Sequence, residues 1–278
     1  MPDRRIAAVV VLYHPEKEVW RNIETYREAA ERLYLIDNSG GDSLIPKNLL
    51  QAREVELLHS GENLGIAKAL NLALKSARDA GYAWLMTMDQ DTAFSRGELE
   101  RFLYDFRHCT CYNAAILSPL HNHREVHSEE EGSFVQKAYV MTSANLVHIE
   151  RVMAAGGYDE KLFIDEVDHE LSFRLGGFGY TIWVHSGIAV KHSLGTRYRQ
   201  KVLYPAERLY YMIRNYLYVR KKYLSYAPSF FQTRDRYLLR FFLRQTVYGR
   251  ERLQNLKMIF LGIWDYGRGS LGKRNHVL

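Results

Sequence analysis

Two aspartates separated by one residue, Asp89 and Asp91, are the side chains in this sequence best placed to do chemistry. They follow residues 84–88, a run of four apolar residues and one threonine, which is short enough to be a strand buried on both faces. Carboxylates at the carboxyl end of such a strand lie where open α/β sheets bind ligands. Because carboxylate oxygens are hard ligands, the pair predicts a divalent cation, Mg²⁺ or Mn²⁺, beside a substrate phosphate. The alternative is a strand end followed by an acidic turn without a ligand.

A second acidic centre contains four carboxylates within six residues: Asp165, Glu166, Asp168 and Glu170. The apolar spacing over residues 171–178 predicts a helix that begins in this cluster. Acidic residues are favoured in the first turn of a helix, and Glu170 with Arg174 would form an ordinary i,i+4 pair. However, four carboxylates repel one another more than capping requires, and close carboxylates raise each other's pKa. The cluster therefore also predicts a general base.

The elements before Asp89 alternate between strand and helix patterns. Short apolar runs predict strands at residues 6–12, 33–36, 55–58 and 84–88. Helical spacing of apolar residues covers residues 19–33 and 63–74. Repeats of this kind build an α/β fold around a parallel sheet.

Polar residues at two of these boundaries are candidate ligand contacts. Asp37 ends the second predicted strand, where it can meet a nucleobase or a ribose. Asn63 can cap the following helix, and Gly65 admits close approach by another group. Since a helix N-terminus can face an anion, Asn63 and Gly65 are candidate cofactor-binding residues. A tightly packed helix without a ligand is the alternative.

The pattern after Asp91 is less regular. It predicts a helix over 96–107, strands over 114–117 and 134–140, a helix that begins within 142–145, and short strands over 181–184 and 189–191. His192 stands at the end of the last predicted strand, where it is either a structural histidine or a ligand.

Charge is distributed unevenly along the 278 residues. Residues 196–278 contain 18 Lys and Arg against 4 Asp and Glu, a net charge of +14, whereas residues 1–195 have a net charge of −8. The C-terminal segment also contains 17 of the 36 aromatic residues. This contrast predicts two parts, residues 1–195 and a basic, aromatic-rich helical tail over residues 196–278, with different partners.

Several protein classes are excluded by composition. Cys109 and Cys111 are too close for an ordinary long-range disulfide and lack the partners of a zinc site. Residues 6–12 are a first strand rather than a signal peptide, and no run approaches the ~18 apolar residues that span a bilayer. We therefore expect a cytoplasmic protein.

The tail is expected to form two or three helices within residues 205–262. Arg236, Arg240 and Arg244 repeat every four residues and so line one side of a helix. A basic, aromatic-rich amphipathic helix fits an interfacial membrane anchor. One alternative is a helical cap whose arginines face solvent. Nucleic-acid binding is the other, but no recognised motif accompanies the basic stretch. We expect peripheral membrane contact and no nucleic-acid partner.

Six ordered motifs give the chain a resemblance to a known family. They lie at residues 9–15, 35–41, 63–74, 88–91, 156–174 and 191–195. With these motifs the chain resembles family 2 glycosyltransferases, inverting enzymes of the GT-A fold, and most closely their bacterial rhamnosyltransferase branch. Residues 210–215, YYMIRN, also resemble that branch. The resemblance implies a Rossmann-like, mostly parallel central sheet with flanking helices and a C-terminal helical appendage.

The resemblance also implies roles on the donor side. Tyr13 and Asp37 would line the nucleobase pocket. Asp89 and Asp91 match the Asp-x-Asp motif that holds a nucleotide-sugar diphosphate through a divalent cation, with Asp91 as the direct metal ligand. His192 matches a histidine that contacts the metal or the diphosphate.

On the acceptor side, Asp168 aligns with the catalytic base of the family. Many members have Glu-Asp at this point, whereas this chain has Val167 before Asp168, so no role follows for the preceding position. Asp165 and Glu170 are implied as acceptor contacts. The base would take a proton from an acceptor hydroxyl, which then attacks the anomeric carbon opposite the leaving group.

The expected function is therefore transfer of L-rhamnose from dTDP-L-rhamnose to a saccharide or lipid-linked saccharide at the inner face of the membrane, with oligomerisation left open. A nucleotidyltransferase is the first alternative. It needs a Gly-rich, Arg-containing loop after the first strand, where this chain has YHPEK at residues 13–17. A non-catalytic assembly partner is the second alternative, but it should have lost the acidic residues that this chain retains.

Overall fold

The computed structural model describes residues 4–41, 44–95, 97–121, 134–192, 196–198, 201–249 and 251–274. At its centre is an eight-stranded sheet, accompanied by two small two-stranded sheets. The strands in chain order are β1 (Ile6–Leu12), β2 (Arg32–Asp37), β3 (Val55–Ser60), β4 (Trp84–Asp89), β5 (Thr92–Ala93), β6 (Ala114–Leu120), β7 (Phe134–Lys137), β8 (Asn145–His148), β9 (Thr181–Ala189), β10 (Lys191–His192), β11 (Thr196–Tyr198) and β12 (Lys201–Leu203).

The large sheet has the strand order β3-β2-β1-β4-β8-β6-β9-β7. Its first four strands are parallel, β6 and β9 run in the same direction, and only β8 and β7 oppose them in the described sheet. Strand β1 is buried along its whole length, as expected for an apolar strand between two neighbours with helices on both faces. The predicted α/β fold with a mostly parallel sheet is confirmed.

The prediction of a helix beginning within residues 142–145 is wrong. Residues Asn145–His148 form strand β8, which lies antiparallel between β4 and β6. Leu146 and Val147 are fully buried there, one on each face of the sheet. Helix formation begins only at Ile149. Two long-range strand pairings therefore override the local preference of a four-residue segment.

The strands predicted over 181–184 and 189–191 have different bounds in the structure. Thr181–Ala189 form the single strand β9, and Lys191–His192 form the short strand β10.

Helices cover both faces of the sheet. They are α1 (Lys17–Glu24), α2 (Lys47–Leu50), α3 (Ile66–Asp79), α4 (Glu98–His108), α5 (Ile149–Ala154), α6 (Val167–Gly177), α7 (Ala206–Tyr223), α8 (Pro228–Tyr248) and α9 (Arg252–Gly267). Alternate residues of β1 point into two cores. Helices α1 and α4 close one core with Ile23 and Phe102, and helices α3 and α6 close the other with Leu74 and Leu171. None of these helices has the length and hydropathy needed to cross a membrane.

The C-terminal helices α7 and α8 share the second core, and the buried Met258 of α9 packs with Tyr210 and Tyr211 of α7 in a smaller cluster. Leu209 and Val219 of α7 and Phe231 of α8 are buried in the same cluster as α3 and the sheet. Helix α9 crosses α7 closely at Gly262, where an added Cβ would lie 2.6 Å from the Tyr210 carbonyl oxygen. The helices predicted within residues 205–262 are confirmed as three. The division at residue 195 stays a prediction.

Candidate active site

The carboxyl ends of the central parallel strands gather the predicted donor-side residues at one edge of the sheet. In the register of β1, Leu12 lies opposite Asp37 of β2, and Val11 lies opposite Asp89 of β4. Tyr13 directly follows β1. Parallel pairing therefore brings together side chains that are up to 76 residues apart in sequence.

Neutral hydrogen bonds hold the loop that contains the two aspartates. The Asp89 amide donates to Ser143 Oγ at 3.1 Å, and Ser143 Oγ donates to Thr92 Oγ1 at 2.7 Å. Gln90, between the aspartates, accepts from the Tyr13 amide at 2.8 Å and donates to the Tyr13 carbonyl at 3.1 Å. Sequence reasoning missed Gln90, although its position inside the motif was a signal. No sequence signal pointed to Ser143, because it lies over 50 residues from Asp89.

A divalent cation fits the chemistry of this loop. Asp89 and Asp91 are both partly buried and follow the same strand. Strand β10 pairs antiparallel with β5, which sets the His192 backbone opposite Thr92, directly after Asp91. The His192 side chain lies outside the described residues. In the described part of the chain, no three His, Cys, Asp or Glu side chains group closely enough to hold a metal. Metal ligation by Asp91 and His192 stays a prediction.

Tyr13 and Asp37 differ in accessibility. Tyr13 is 54% exposed and its ring lies edge-on to that of His14, with centroids 4.4 Å apart. Asp37 is 1% exposed; its Oδ1 accepts the Ser39 amide at 2.9 Å, which closes the turn after β2. The exposed ring can stack on a base, whereas Asp37 shapes the turn beside it. Contact of either residue with a nucleobase stays a prediction.

The start of helix α3 shows why the sequence has asparagine and glycine there. Gly65, not Asn63, is the N-cap; Asn63 Oδ1 instead accepts the Gly65 amide at 2.9 Å. Gly65 has φ +77°, and an added Cβ would lie 2.5 Å from the Phe163 carbonyl oxygen. That carbonyl also accepts the Ile66 amide at 2.8 Å. The close approach inferred for Gly65 is therefore made by the loop before α6, and cofactor binding by Asn63 and Gly65 stays a prediction.

The acidic loop before α6 has an unusual backbone. Asp165 and Glu166 are consecutive residues with φ of +62° and +64°. A left-handed conformation costs about 1–2 kcal/mol for each residue that has a Cβ, so this loop persists only where its surroundings hold it. The loop leads directly into α6, and Asp168 lies in the first turn of that helix. The position of Asp168 therefore depends on how the loop is held.

Basic side chains from the C-terminal helices neutralise this loop. Arg208 of α7 contacts Asp165 at 3.0 Å, and Arg234 of α8 contacts Glu166 at 2.9 Å. No local sequence pattern indicated these pairs, which span 43 and 68 residues. The opposite net charges of residues 1–195 and 196–278 were the only available signal.

Glu170 is fully buried and is held from three sides. Arg174 contacts it at 2.7 Å, Lys222 at 2.6 Å, and the Tyr223 hydroxyl donates to it at 2.8 Å. The predicted i,i+4 pair with Arg174 is confirmed. The expectation that Glu170 contacts the acceptor is wrong, because its carboxylate is 0% exposed and its oxygens are engaged by these cations. Its role is to join α6 to α7.

Asp168 is the most accessible carboxylate of the four. Its side chain is 22% exposed, against 15% for Asp165, 5% for Glu166 and 0% for Glu170. Within the described residues it has no Arg or Lys ion pair; His169 Nδ1 lies 3.4 Å from its Oδ1. This carboxylate alone of the four can meet an incoming hydroxyl without first breaking a strong ion pair.

His169 links Asp168 to Glu166. Its Nδ1 lies 3.0 Å from Glu166 and 3.4 Å from Asp168. Burial lowers the pKa of His169, but the two carboxylates outweigh burial and leave it raised. Desolvation would raise the pKa of Glu166, but His169 and Arg234 lower it to about 2. These shifts favour an imidazolium between two carboxylates, which restrains the first turn of α6.

Arg208 contacts Asp165 and is also attracted electrostatically by Asp89. Burial lowers the pKa of Arg208, but Asp165 and, more weakly, Asp89 outweigh it and leave the pKa raised. The guanidinium is therefore attracted by carboxylates of both loops, although its hydrogen bonds go to Asp165.

A cavity of about 690 Å³ lies between α1 and α4 and is lined by Glu24 and Glu100 among others. It contains none of the predicted site residues.

Comparisons with known proteins find similarity to glycosyltransferases. The model of the glycosyl transferase family 2 matches residues 7–133. The dTDP-rhamnosyl transferase RfbF of Shigella flexneri is 27% identical over 257 residues, which is 82% of this chain and 84% of that protein.

Solved structures share the fold at low identity. TarS of S. aureus, in complex with UDP-GlcNAc, is 15% identical with a TM-score of 0.56, over 79% of this chain and 66% of that one. GalNAc-T7 with UDP, GalNAc and Mn²⁺ is 12% identical with a TM-score of 0.56, over 79% of this chain and 48% of that one. This chain thus spans about half the length of the GalNAc-T7 structure. The sheet and these matches together support a family 2 glycosyltransferase of the GT-A fold that resembles bacterial rhamnosyltransferases.

Proposed function

We propose that this enzyme transfers L-rhamnose from dTDP-L-rhamnose, with inversion, to a saccharide or lipid-linked saccharide in the assembly of a bacterial surface polysaccharide. The dTDP-rhamnosyl transferase RfbF supports the donor, since its likeness covers most of both chains. An inverting reaction needs one base and a stabilised leaving group. The two acidic centres supply candidates for these two roles.

The donor side consists of Tyr13, Asp37, Asp89, Asp91 and His192. Tyr13 offers an exposed ring for stacking on the base, beside the turn that Asp37 closes. Asp91 and His192 would hold Mg²⁺ or Mn²⁺, with Asp89 beside them; when bound, the cation offsets the charge that grows on the departing dTDP. The Mn²⁺ and UDP bound by GalNAc-T7 support this arrangement.

The acceptor side depends on Asp168. The observation that carries the proposal is that Asp168 is the most exposed of the four carboxylates, whereas the other three are paired with Arg or Lys side chains. Asp168 takes the proton of the acceptor hydroxyl. The oxygen forms a bond to the anomeric carbon as the bond to the dTDP oxygen breaks on the opposite face. Arg208 and Arg234 offset the charge of the neighbouring carboxylates, Asp165 and Glu166.

Asp168→Asn tests this assignment. Removing a well-placed base lowers turnover by ~10²–10⁴, so we expect at least a ~100-fold slower release of dTDP from dTDP-L-rhamnose with Mn²⁺. Affinity for dTDP with Mn²⁺, measured by calorimetry, should change less than about twofold, because the base does not touch the donor diphosphate. Asp79→Asn, at the exposed end of α3, is the matched control. Wild-type turnover by Asp168→Asn contradicts the role of the base.

We also propose that the C-terminal helices contact the inner face of the cell membrane. Apolar side chains at helical spacing are exposed on α8 and α9: Leu239, Leu243 and Val247, and Leu253, Leu256, Phe260 and Trp264. Arg236, Arg240 and Arg244 are exposed beside those of α8. Exposed apolar side chains rimmed by arginines fit an anionic lipid surface, and the like charge disfavours a second copy of the chain.

A further inference from the structure

The loop that precedes α6 is anchored by the Arg-Asn pair of the YYMIRN segment. Asn215 Nδ2 donates to the Ile164 carbonyl at 2.6 Å and to the Asp165 carbonyl at 3.4 Å. Arg214 Nε donates to Asn215 Oδ1 at 2.9 Å, which fixes the orientation of the amide. Arg214 is 1% exposed and Asn215 is 0% exposed. These buried polar groups on α7 hold the backbone at the first left-handed residue of the loop.

Charged anchors hold the side chains of the same two left-handed residues. Arg208 binds the Asp165 carboxylate, and Arg234 binds the Glu166 carboxylate. Both Asp165 and Glu166 have a Cβ and would relax to φ below zero if released. That change would rotate the start of α6, where Asp168 lies. The C-terminal helices therefore hold this loop by its backbone and by both side chains.

His169 links the held loop to Asp168. Glu166 lies 3.0 Å from His169 Nδ1, and the same nitrogen lies 3.4 Å from Asp168 Oδ1. The His169 amide also donates to Asp168 Oδ1 at 2.9 Å. Arg234 can thus act on Asp168 through Glu166 and His169 without touching a substrate.

We propose that Asn215 and Arg234 are positioning residues for Asp168, so that the C-terminal helices complete the catalytic site as well as packing against it. This inference rests on the proposed role of Asp168 as the base. A stability role alone predicts that their loss lowers the melting temperature. A positioning role predicts a specific loss of turnover with unchanged donor binding.

Arg234→Gln in the full chain is the first test. We expect faster hydrogen exchange in peptides covering residues 163–170, a turnover of dTDP-L-rhamnose lowered at least ~10-fold, and dTDP affinity with Mn²⁺ changed less than about twofold. Arg252→Gln, an exposed arginine on α9, is the matched control and should leave all three quantities unchanged. Arg234→Lys should recover part of the turnover, since it keeps the charge opposite Glu166.

The second test is a double-mutant cycle with Glu166→Gln. If Arg234 acts through Glu166, the double variant should be no slower than the slower single variant, since contacts in one network are not additive. If Arg234→Gln shows both wild-type hydrogen exchange in residues 163–170 and wild-type turnover, the positioning role is overturned. Additive losses in the cycle overturn the path through Glu166. If exchange rises but wild-type protein does not turn over dTDP-L-rhamnose, only the proposed function fails.

Discussion

The two acidic centres of this enzyme are held in different ways. In the loop that carries Asp89 and Asp91, the Asp89 amide donates to an uncharged partner, Ser143, and Gln90 binds the backbone of Tyr13. The loop that leads to Asp168 is fixed by charged and amide groups of the C-terminal helices, some 40 to 70 residues further along the chain.

This difference has a chemical consequence. Ser143 and Gln90 are uncharged, so neither of them offsets the negative charge of the two aspartates. Charged anchors cancel most of the charge of the second loop and set Asp168 apart from its neighbours. The charged groups around these carboxylates thus leave them with different exposure and different ion pairs.

The largest expected effect concerns Glu170, the most deeply buried member of the second centre. Glu170→Gln leaves Arg174 without its carboxylate partner, while Lys222 keeps Asp159 at 3.6 Å. We expect the free energy of unfolding to fall by about 3 kcal/mol in urea denaturation. This is the lower end for a broken buried pair, because Lys222 is 38% exposed. Asp79→Asn breaks an exposed pair with Arg78 and should cost below ~1 kcal/mol. An equal loss in both variants would mean that burial does not distinguish the two pairs.

Asp91→Asn examines the first centre. It removes one hard ligand, so we expect dTDP affinity in the presence of Mg²⁺ or Mn²⁺ to weaken at least ~10-fold, with little change in the melting temperature. Calorimetry with and without a chelator measures the effect. The wild type should lose the same affinity when the chelator is added. Equal dTDP affinity of the wild type in metal and in chelator is the result that removes the cation from the proposal.

The smallest effect per residue concerns the exposed arginines of α8. Each arginine near an anionic surface contributes ~1 kcal/mol, so changing Arg236, Arg240 and Arg244 together to Gln should reduce vesicle binding at least ~10-fold. Co-sedimentation with vesicles of increasing anionic lipid content, at low and high salt, is the measurement. The matched control changes to Gln three exposed lysines that lie before residue 195: Lys17, Lys47 and Lys75.

Binding that rises with anionic lipid and falls with salt supports membrane contact, because exposed charges are screened within ~8 Å at physiological ionic strength. A wild-type protein that stays in the supernatant at every lipid composition contradicts it. The helices would then be a cap that completes the fold and the site.

Strong local patterns predicted much of the fold. The four N-terminal strands lie within two residues of their predicted ends, and the helix predicted over 96–107 is α4, with Leu99 and Phe102 buried as expected. Strand β8 was missed because its four residues have a helix directly after them and form a strand only by pairing with β4 and β6. Such pairings have no periodic signal in a short segment.

For the site, the sequence alone determined which residues could do chemistry: two aspartates at the end of a buried strand and a cluster of carboxylates at a helix start. Only the tertiary structure distinguished the members of that cluster. Glu170 became a buried link and Asp168 the accessible carboxylate, because arginines and a lysine from distant helices reach some of these side chains and not others. Local spacing encodes the faces of strands and helices, whereas charge partners depend on chain segments that meet only after folding.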